Sequence, residues 1–275
     1  MILRSDVRIE PMEPSMTEIN TDVPHSARVY DYWLGGKDNY EADRALGDAM
    51  VAAIPTLPAM ARANRAFMER AVRHLAGEGI TQFLDIGTGI PTSPNLHEIA
   101  QSIEPASRVV YVDNDPLVLA HARALLAGHP EGKTAYIHAD LTEPRSILDH
   151  PSLAETLDLD RPVALMLVAI LMYFTDEQNP RAMVAELMDA LPSGSRLVIS
   201  HPTADFDPDS VAQAVEAATS AGITLVPRTR AQVEDLFAGH EILDPGVVPL
   251  AAWRPVEPPA DPHAVYYYGG VARKR

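Results

Sequence analysis

Hydrophobic positions recur with two different periods along the chain, and the change falls near residue 81. From about Pro58 to Ala76, Met60, Ala63, Phe67, Ala71 and Leu75 stand at helical spacing, with Gly77 and Gly79 to end the helix. Earlier, Ser26 is placed to cap a short helix with Val29, Tyr30, Trp33 and Leu34 on one side, broken by Gly35 and Gly36. Beyond residue 81 come short apolar runs at Gln82 to Ile86, Arg108 to Val112, Ala135 to His138, Val163 to Val168 and Leu197 to Ser200. Helical stretches follow them at Asn95 to Ser102, Pro116 to Ala127, Ser152 to Leu157, Asp176 to Leu191 and Asp209 to Ala221. Thr175 and Gln178 form a capping box for the fourth, so Asn179 and Pro180 fall inside that helix. A further helix, Ala231 to Ala238, follows Thr229 as its cap. Strands apolar on both faces and alternating with helices predict an α/β fold, a doubly wound, mostly parallel sheet. Val247 to Trp253 and Ala264 to Val271 read as an antiparallel hairpin at its edge, which makes seven strands. Residues 1–24 are polar, with Pro11, Pro14 and Pro24, and read as a flexible arm.

Charge narrows the partners. With 38 acidic against 22 basic residues among 275, the formal charge is −16, and the longest basic cluster is Arg273 to Arg275. A phosphate backbone or an anionic membrane would be repelled. The chain has no cysteine, which removes disulfides, thiolate nucleophiles and Cys-ligated metals. Its first residues lack the apolar core of a secretion signal. The longest apolar run, Val163 to Phe174, has 12 residues, where a membrane span needs about 20. These features predict a cytoplasmic protein. No H-E-x-x-H or paired-carboxylate cluster calls for a metal, and no G-x-S-x-G calls for a hydrolase elbow.

The segment FLDIGTGIPT, residues 83 to 92, carries the main chemical signal. A strand delivers Asp85, then Gly87 and Gly89, whose missing side chains let backbone amides approach a ligand at a helix start. The third glycine of a dinucleotide fingerprint is replaced by Thr92. Asp113, in VVYVDNDP, ends the second strand, where a carboxylate accepts from ribose hydroxyls in nicotinamide and adenosyl cofactors alike. Two features separate these cofactors. Asp85 welcomes a cationic amine and repels a pyrophosphate, and Asp140, in IHADLTEP, can accept from an adenine amino group.

In this order the segments resemble the motifs of class I S-adenosylmethionine-dependent methyltransferases. The pattern of acid, x, Gly, x, Gly falls on Asp85, Gly87, Thr88 and Gly89, the ribose acid on Asp113 with Asn114 beside it, and the adenine-side acid on Asp140 followed by Leu141. SARVYDYWLGGKDNYEADR, ARANRAFMERAVRHLA, IPTSPNLHE and GGVARK are similar to a bacterial family once filed as a domain of unknown function, over about residues 20 to 275. The resemblance implies a Rossmann-like fold, S-adenosylmethionine as cofactor and a cofactor-binding core over 81–275; the charge of −16 adds the expectation of a small-molecule acceptor.

Residues 25–80 are expected to form a helical lid, since ligands bind such sheets outside the carboxyl ends of the strands and that crevice needs a cover. Tyr32, Gly35, Gly36 and Lys37 can reach the cofactor from it; alternatively the helix packs by Tyr30 and Trp33 and leaves Lys37 in solvent. Arg65 matches an arginine that holds the cofactor carboxylate in the related leucine carboxyl methyltransferases, or is a surface arginine. His201, just after the fifth strand, is the best-placed general base, or else a loop histidine bonded to Asp205. Tyr173 is the one polar group in Ala169 to Phe174, which follows the fourth strand. The resulting expectation is methyl transfer to a small molecule. A cofactor sensor without turnover and a nicotinamide dehydrogenase are the rivals.

Overall fold

The computed structural model of the chain describes residues 20–118 and 128–275. Residues 1–19 of the expected arm lie outside the described residues, as does 119–127 of the helix expected at 116–127. Three helices come first, α1 (Ser26–Leu34), α2 (Glu41–Ala53) and α3 (Leu57–Gly77). Then follow β1 (Gln82–Ile86), α4 (Leu96–Gln101), β2 (Arg108–Asp113), β3 (Lys133–His138), α5 (Pro144–Leu148), α6 (Pro151–Thr156) and β4 (Ala164–Val168). The chain continues through α7 (Pro180–Asp189), β5 (Arg196–Pro202), α8 (Pro208–Ser220), α9 (Arg230–Asp235), β6 (Glu241–Ile242), β7 (Val248–Pro249) and β8 (Tyr267–Arg273).

The strands run in the order β3-β2-β1-β4-β5-β8-β6, with β7 also paired to β8. The first five are parallel, and β8 runs antiparallel to β5. Successive strand residues point to opposite faces, and both faces are covered. Phe83, Val109, Met166 and Val198 enter the core under α3, α4 and α8. Their neighbours Leu84, Val110, Leu165 and Leu197 enter the core under α5, α6, α7 and α9. This double coverage is why the strands are continuous apolar runs.

The sheet has eight strands rather than seven. The expected hairpin shrinks to β7 against β8, with Val248 opposite Gly269, and the dipeptide β6 also joins β8. So β8 lies inside the sheet, because β5 extends to Pro202 and pairs along its whole length. His25 caps α1 in place of Ser26, its side chain accepting from the Ala27 amide. The helix expected from Asp176 is two pieces: Thr175 and Gln178 cap a 3-10 turn, after which Asn179, at φ 51°, caps α7 and Pro180 is its first residue. Helix α2 follows from Asp43, fully buried, which accepts from the Tyr40 amide, the His25 amide and Arg28 Nε and so ties α1 to α2.

Candidate functional site

Strand order reverses between β1 and β4, and a cleft opens there at the carboxyl ends of the strands. Its floor is the turn after β1. Gly87 and Gly89 adopt φ values of 75° and 66°, a region that side chains disfavour. The Gly87 amide donates to Val112 O at 2.8 Å, and the Gly89 amide donates to Asp113 Oδ2 at 2.8 Å. Thr88 Oγ1 donates to Asp85 O, which closes the turn. Space is as restrictive as conformation at Gly87, where a Cβ would lie 2.5 Å from Ile170 Cδ1 and 2.8 Å from its Cβ. Gly87→Ala is expected to displace the turn and lower stability by about 1–3 kcal/mol, read as a reduced Tm.

Three carboxylates surround this turn in different electrostatic states. Asp113 is buried, and burial raises its pKa against the hydrogen bonds it accepts from Gly89 and, at 3.0 Å, from the Asp115 amide. Asp85 faces the cleft, and among the described residues its carboxylate accepts no hydrogen bond. Burial pushes it up to about 7; Arg65 pulls down and Asp113 pushes further up. At Asp140 burial also acts upward but is outweighed by bonds from Thr142 and Asn114, which leave it below the usual carboxylate range. Thr142 supplies its amide at 2.8 Å and its hydroxyl at 2.6 Å, and Asn114 Nδ2 donates at 2.8 Å. Beside these groups an apolar slot runs between Ile86, Leu141, Ile170 and Phe174 to Asn114 and Asp140.

The structure thus brings together Asp85, Gly87, Thr88, Gly89, Asp113 and Asn114, with Asp140 and Leu141 in the adjoining slot. Arg65 and Tyr173 also line the cleft. Arg65 donates to the carbonyls of Thr92 and Pro94 at 2.6 and 2.7 Å, so its fork also fastens the loop before α4. Other expected residues stay away. Tyr32 turns outward and donates to Asp48 at 2.7 Å. Gly35 ends α1 at φ 82°, Gly36 packs over the Asp31 carboxylate, and Lys37 is exposed. His201 lies within β5 and is fully buried, because that strand runs on past Ser200. Its Nδ1 meets Pro202 O at 2.9 Å and its Nε2 meets Arg228 at 3.0 Å. Asp205 instead accepts from the Arg230 amide and Tyr268.

His25, Asp31, Asn64 and Ala169 line the cleft although no motif marks them, and Tyr30, expected to pack, lines it too. Asn64 is buried, donates to the Tyr30 hydroxyl at 2.9 Å and accepts from Ser200 at 2.6 Å. Its signal was a lone amide on the apolar side of α3. Ala169 just past β4, at φ 56°, is a non-glycine residue in a costly conformation, which marks the strand end as constrained.

The strand order, with its antiparallel β8 beside β5, defines a Rossmann-like α/β protein with a carboxylate-rimmed glycine turn at the point where that order reverses. The chain belongs to the S-adenosyl methyltransferase family, whose sequence pattern matches residues 12–275. Its activity is accordingly that of an S-adenosylmethionine-dependent methyltransferase. Among solved structures, it is similar to a DUF574 family protein from Streptomyces avermitilis, with 51% identity and a TM-score of 0.90 over 93% of this chain and 99% of that one. It is also similar to a candidate methyltransferase from Thermobifida fusca, with 42% identity and a TM-score of 0.87 over 93% and 97%. No curated protein matches the chain. Among the described residues no helix is long and apolar enough to cross a membrane.

Proposed function

We propose that the cleft holds S-adenosylmethionine with its amino-acid end between Asp85 and Arg65, its ribose at Asp113, and its adenine in the slot ending at Asn114, Asp140 and Leu141. Methyl transfer then goes to a small-molecule acceptor, in the cytoplasm. Helices α1 to α3, within residues 25–80, act as the lid, and α1 and its cap supply Tyr30, Asp31 and His25 to the cleft. The observation that carries this reading is the pairing of two carboxylates across the glycine turn. Asp113 already organises the Gly89 amide, whereas Asp85 faces the cleft without a donor among the described residues. An unpaired, desolvated carboxylate is costly unless a cation completes it, and an α-amino group fits that need.

Bound cofactor supplies an electrophilic methyl group on a sulfonium, so the protein's task is alignment and exclusion of water more than covalent help. Tyr173 serves that alignment. Burial raises its pKa, so it donates and accepts hydrogen bonds as a neutral hydroxyl and does not act as a base. The formal charge of −16 favours a small acceptor over nucleic acid.

The pH dependence of binding tests the assignment. Asp85, raised to about 7, is protonated below that pH and must lose its proton to pair with an ammonium. Affinity for S-adenosylhomocysteine, measured by calorimetry, is expected to fall as pH drops from 8 to 6, approaching about tenfold per unit below pH 7. Asp85→Asn should be weaker at pH 8 and flat across the range. A wild-type profile without slope would remove the amino-acid end from Asp85.

A further inference from the structure

We infer that the methyl acceptor is an uncharged small molecule with an apolar body and one hydroxyl-type polar end, bound in a second cavity on the other side of α1. The inference rests on the cofactor reading above, since this cavity meets the cofactor cleft. Ser26 and Tyr173 line both.

The cavity is walled by α1, α2, α8, the start of α3, the turn after β4 and the end of β5. Val29, Trp33, Met50, Met60, Met172 and Ala214 form much of its surface. Not one lining residue is Asp, Glu, Lys, Arg or His. Its volume is ≈ 60 Å³ against ≈ 110 Å³ for the cofactor cleft, so it is the smaller of the two spaces. Three methionines in the wall allow it to adapt to an irregular shape.

The absence of charge in this wall decides the class of ligand. A carboxylate or ammonium would leave water without a counter-charge here, and that desolvation is far costlier than that of a neutral hydroxyl. The polar side-chain atoms facing the cavity are nearly all engaged. Trp33 Nε1 donates to Gly47 O, Thr203 accepts from the Asp205 amide, Tyr266 donates to Asp207, and Tyr267 points its hydroxyl at Met172 Sδ. Ser26 and Tyr173 differ, because both line the junction of the two cavities and the Ser26 hydroxyl is near enough to act on the Tyr173 hydroxyl there. A hydroxyl pair of this kind keeps lone pairs and a proton to share, so it matches a ligand group that both donates and accepts. Its position places that group at the opening toward the cofactor, with the apolar body behind it. As the methyl group moves from the sulfonium to this oxygen, sulfur keeps the electron pair of the broken bond and the hydroxyl proton leaves by way of the Tyr173 and Ser26 hydroxyls to solvent in the cofactor cleft.

The probe is 4-ethylphenol, with ethylbenzene and 4-ethylbenzoate as controls, offered at millimolar concentration to the protein saturated with S-adenosylhomocysteine and read by saturation-transfer NMR. Binding of 4-ethylphenol is expected, with 4-ethylbenzoate at least about tenfold weaker at pH 8. Ala214→Phe, which fills the cavity, should abolish 4-ethylphenol binding and leave S-adenosylhomocysteine affinity unchanged. Tyr173→Phe should weaken 4-ethylphenol and spare ethylbenzene, a difference that loss of folding would not produce. Equal binding of the benzoate, indifference to Ala214→Phe, or no phenol signal while S-adenosylhomocysteine binds would overturn this inference alone. Failure of wild-type protein to bind S-adenosylhomocysteine would instead overturn the cofactor reading beneath it.

Discussion

Asp113→Ala is expected to lower affinity for S-adenosylhomocysteine by about 100-fold or more, at any pH where the wild type binds. The residue has two tasks. One carboxylate oxygen accepts from Gly89 at 2.8 Å and the other from the Asp115 amide at 3.0 Å, which fixes the glycine turn against the end of β2. Hydrogen bonds to a charged group are worth about 1.5–3 kcal/mol each, and alanine forfeits both along with the proposed ribose contact. Asp113→Asn separates the tasks, since an amide has one accepting oxygen and must abandon Gly89 or Asp115. Calorimetry should rank the affinities wild type, then Asn, then Ala. Undiminished binding by the alanine variant would show that the cleft holds the cofactor in another way.

Arg228→Ala is expected to cost about 3–5 kcal/mol of stability, measured by urea unfolding. Only 3% of Arg228 is exposed, and each of its two terminal nitrogens has two partners. One nitrogen donates to Leu171 O at 3.1 Å and to His201 Nε2 at 3.0 Å. The other donates to Phe174 O at 2.9 Å and Asp176 at 2.8 Å. These carbonyls flank Tyr173, so the guanidinium holds the segment after β4 in place. His201 completes the arrangement as a neutral ring. Burial lowers its pKa to about 4, with the Arg228 charge acting in the same direction, so Nε2 is free to accept while Nδ1 donates to Pro202 O. Arg228→Lys should recover part of the loss, because an ammonium cannot span four acceptors on two sides. A loss below about 1 kcal/mol for Arg228→Ala would mean that water replaces these bonds.

Both results bear on what the chain disclosed in advance. The glycine turn and its three acids were legible because they are local: Asp85, Gly87 and Gly89 lie within five residues, and the ends of β2 and β3 follow from apolar runs. His201 was misplaced because the end of β5 is set by a distant partner. Its pairing with Tyr268 carries the strand two residues beyond Ser200 and buries the ring. Tyr32 failed for angular reasons. Two residues from Tyr30, it projects toward α2 and not the cleft. The dipeptide strands β6 and β7 are too short for any alternation to betray them. Asn64 and Arg228 belong to networks that only the assembled fold brings together.

The reversal of strand order between β1 and β4 has a kinetic meaning as well. Phe83 and Ala164 are partners there although they stand roughly 80 positions apart, while β1 with β2, β2 with β3 and β4 with β5 join segments much nearer in sequence. Closing so long a loop costs entropy that shorter pairings avoid. The trio β3-β2-β1 and the pair β4-β5 therefore have reason to organise before they dock, and the ligand crevice, which exists only at their seam, follows that docking.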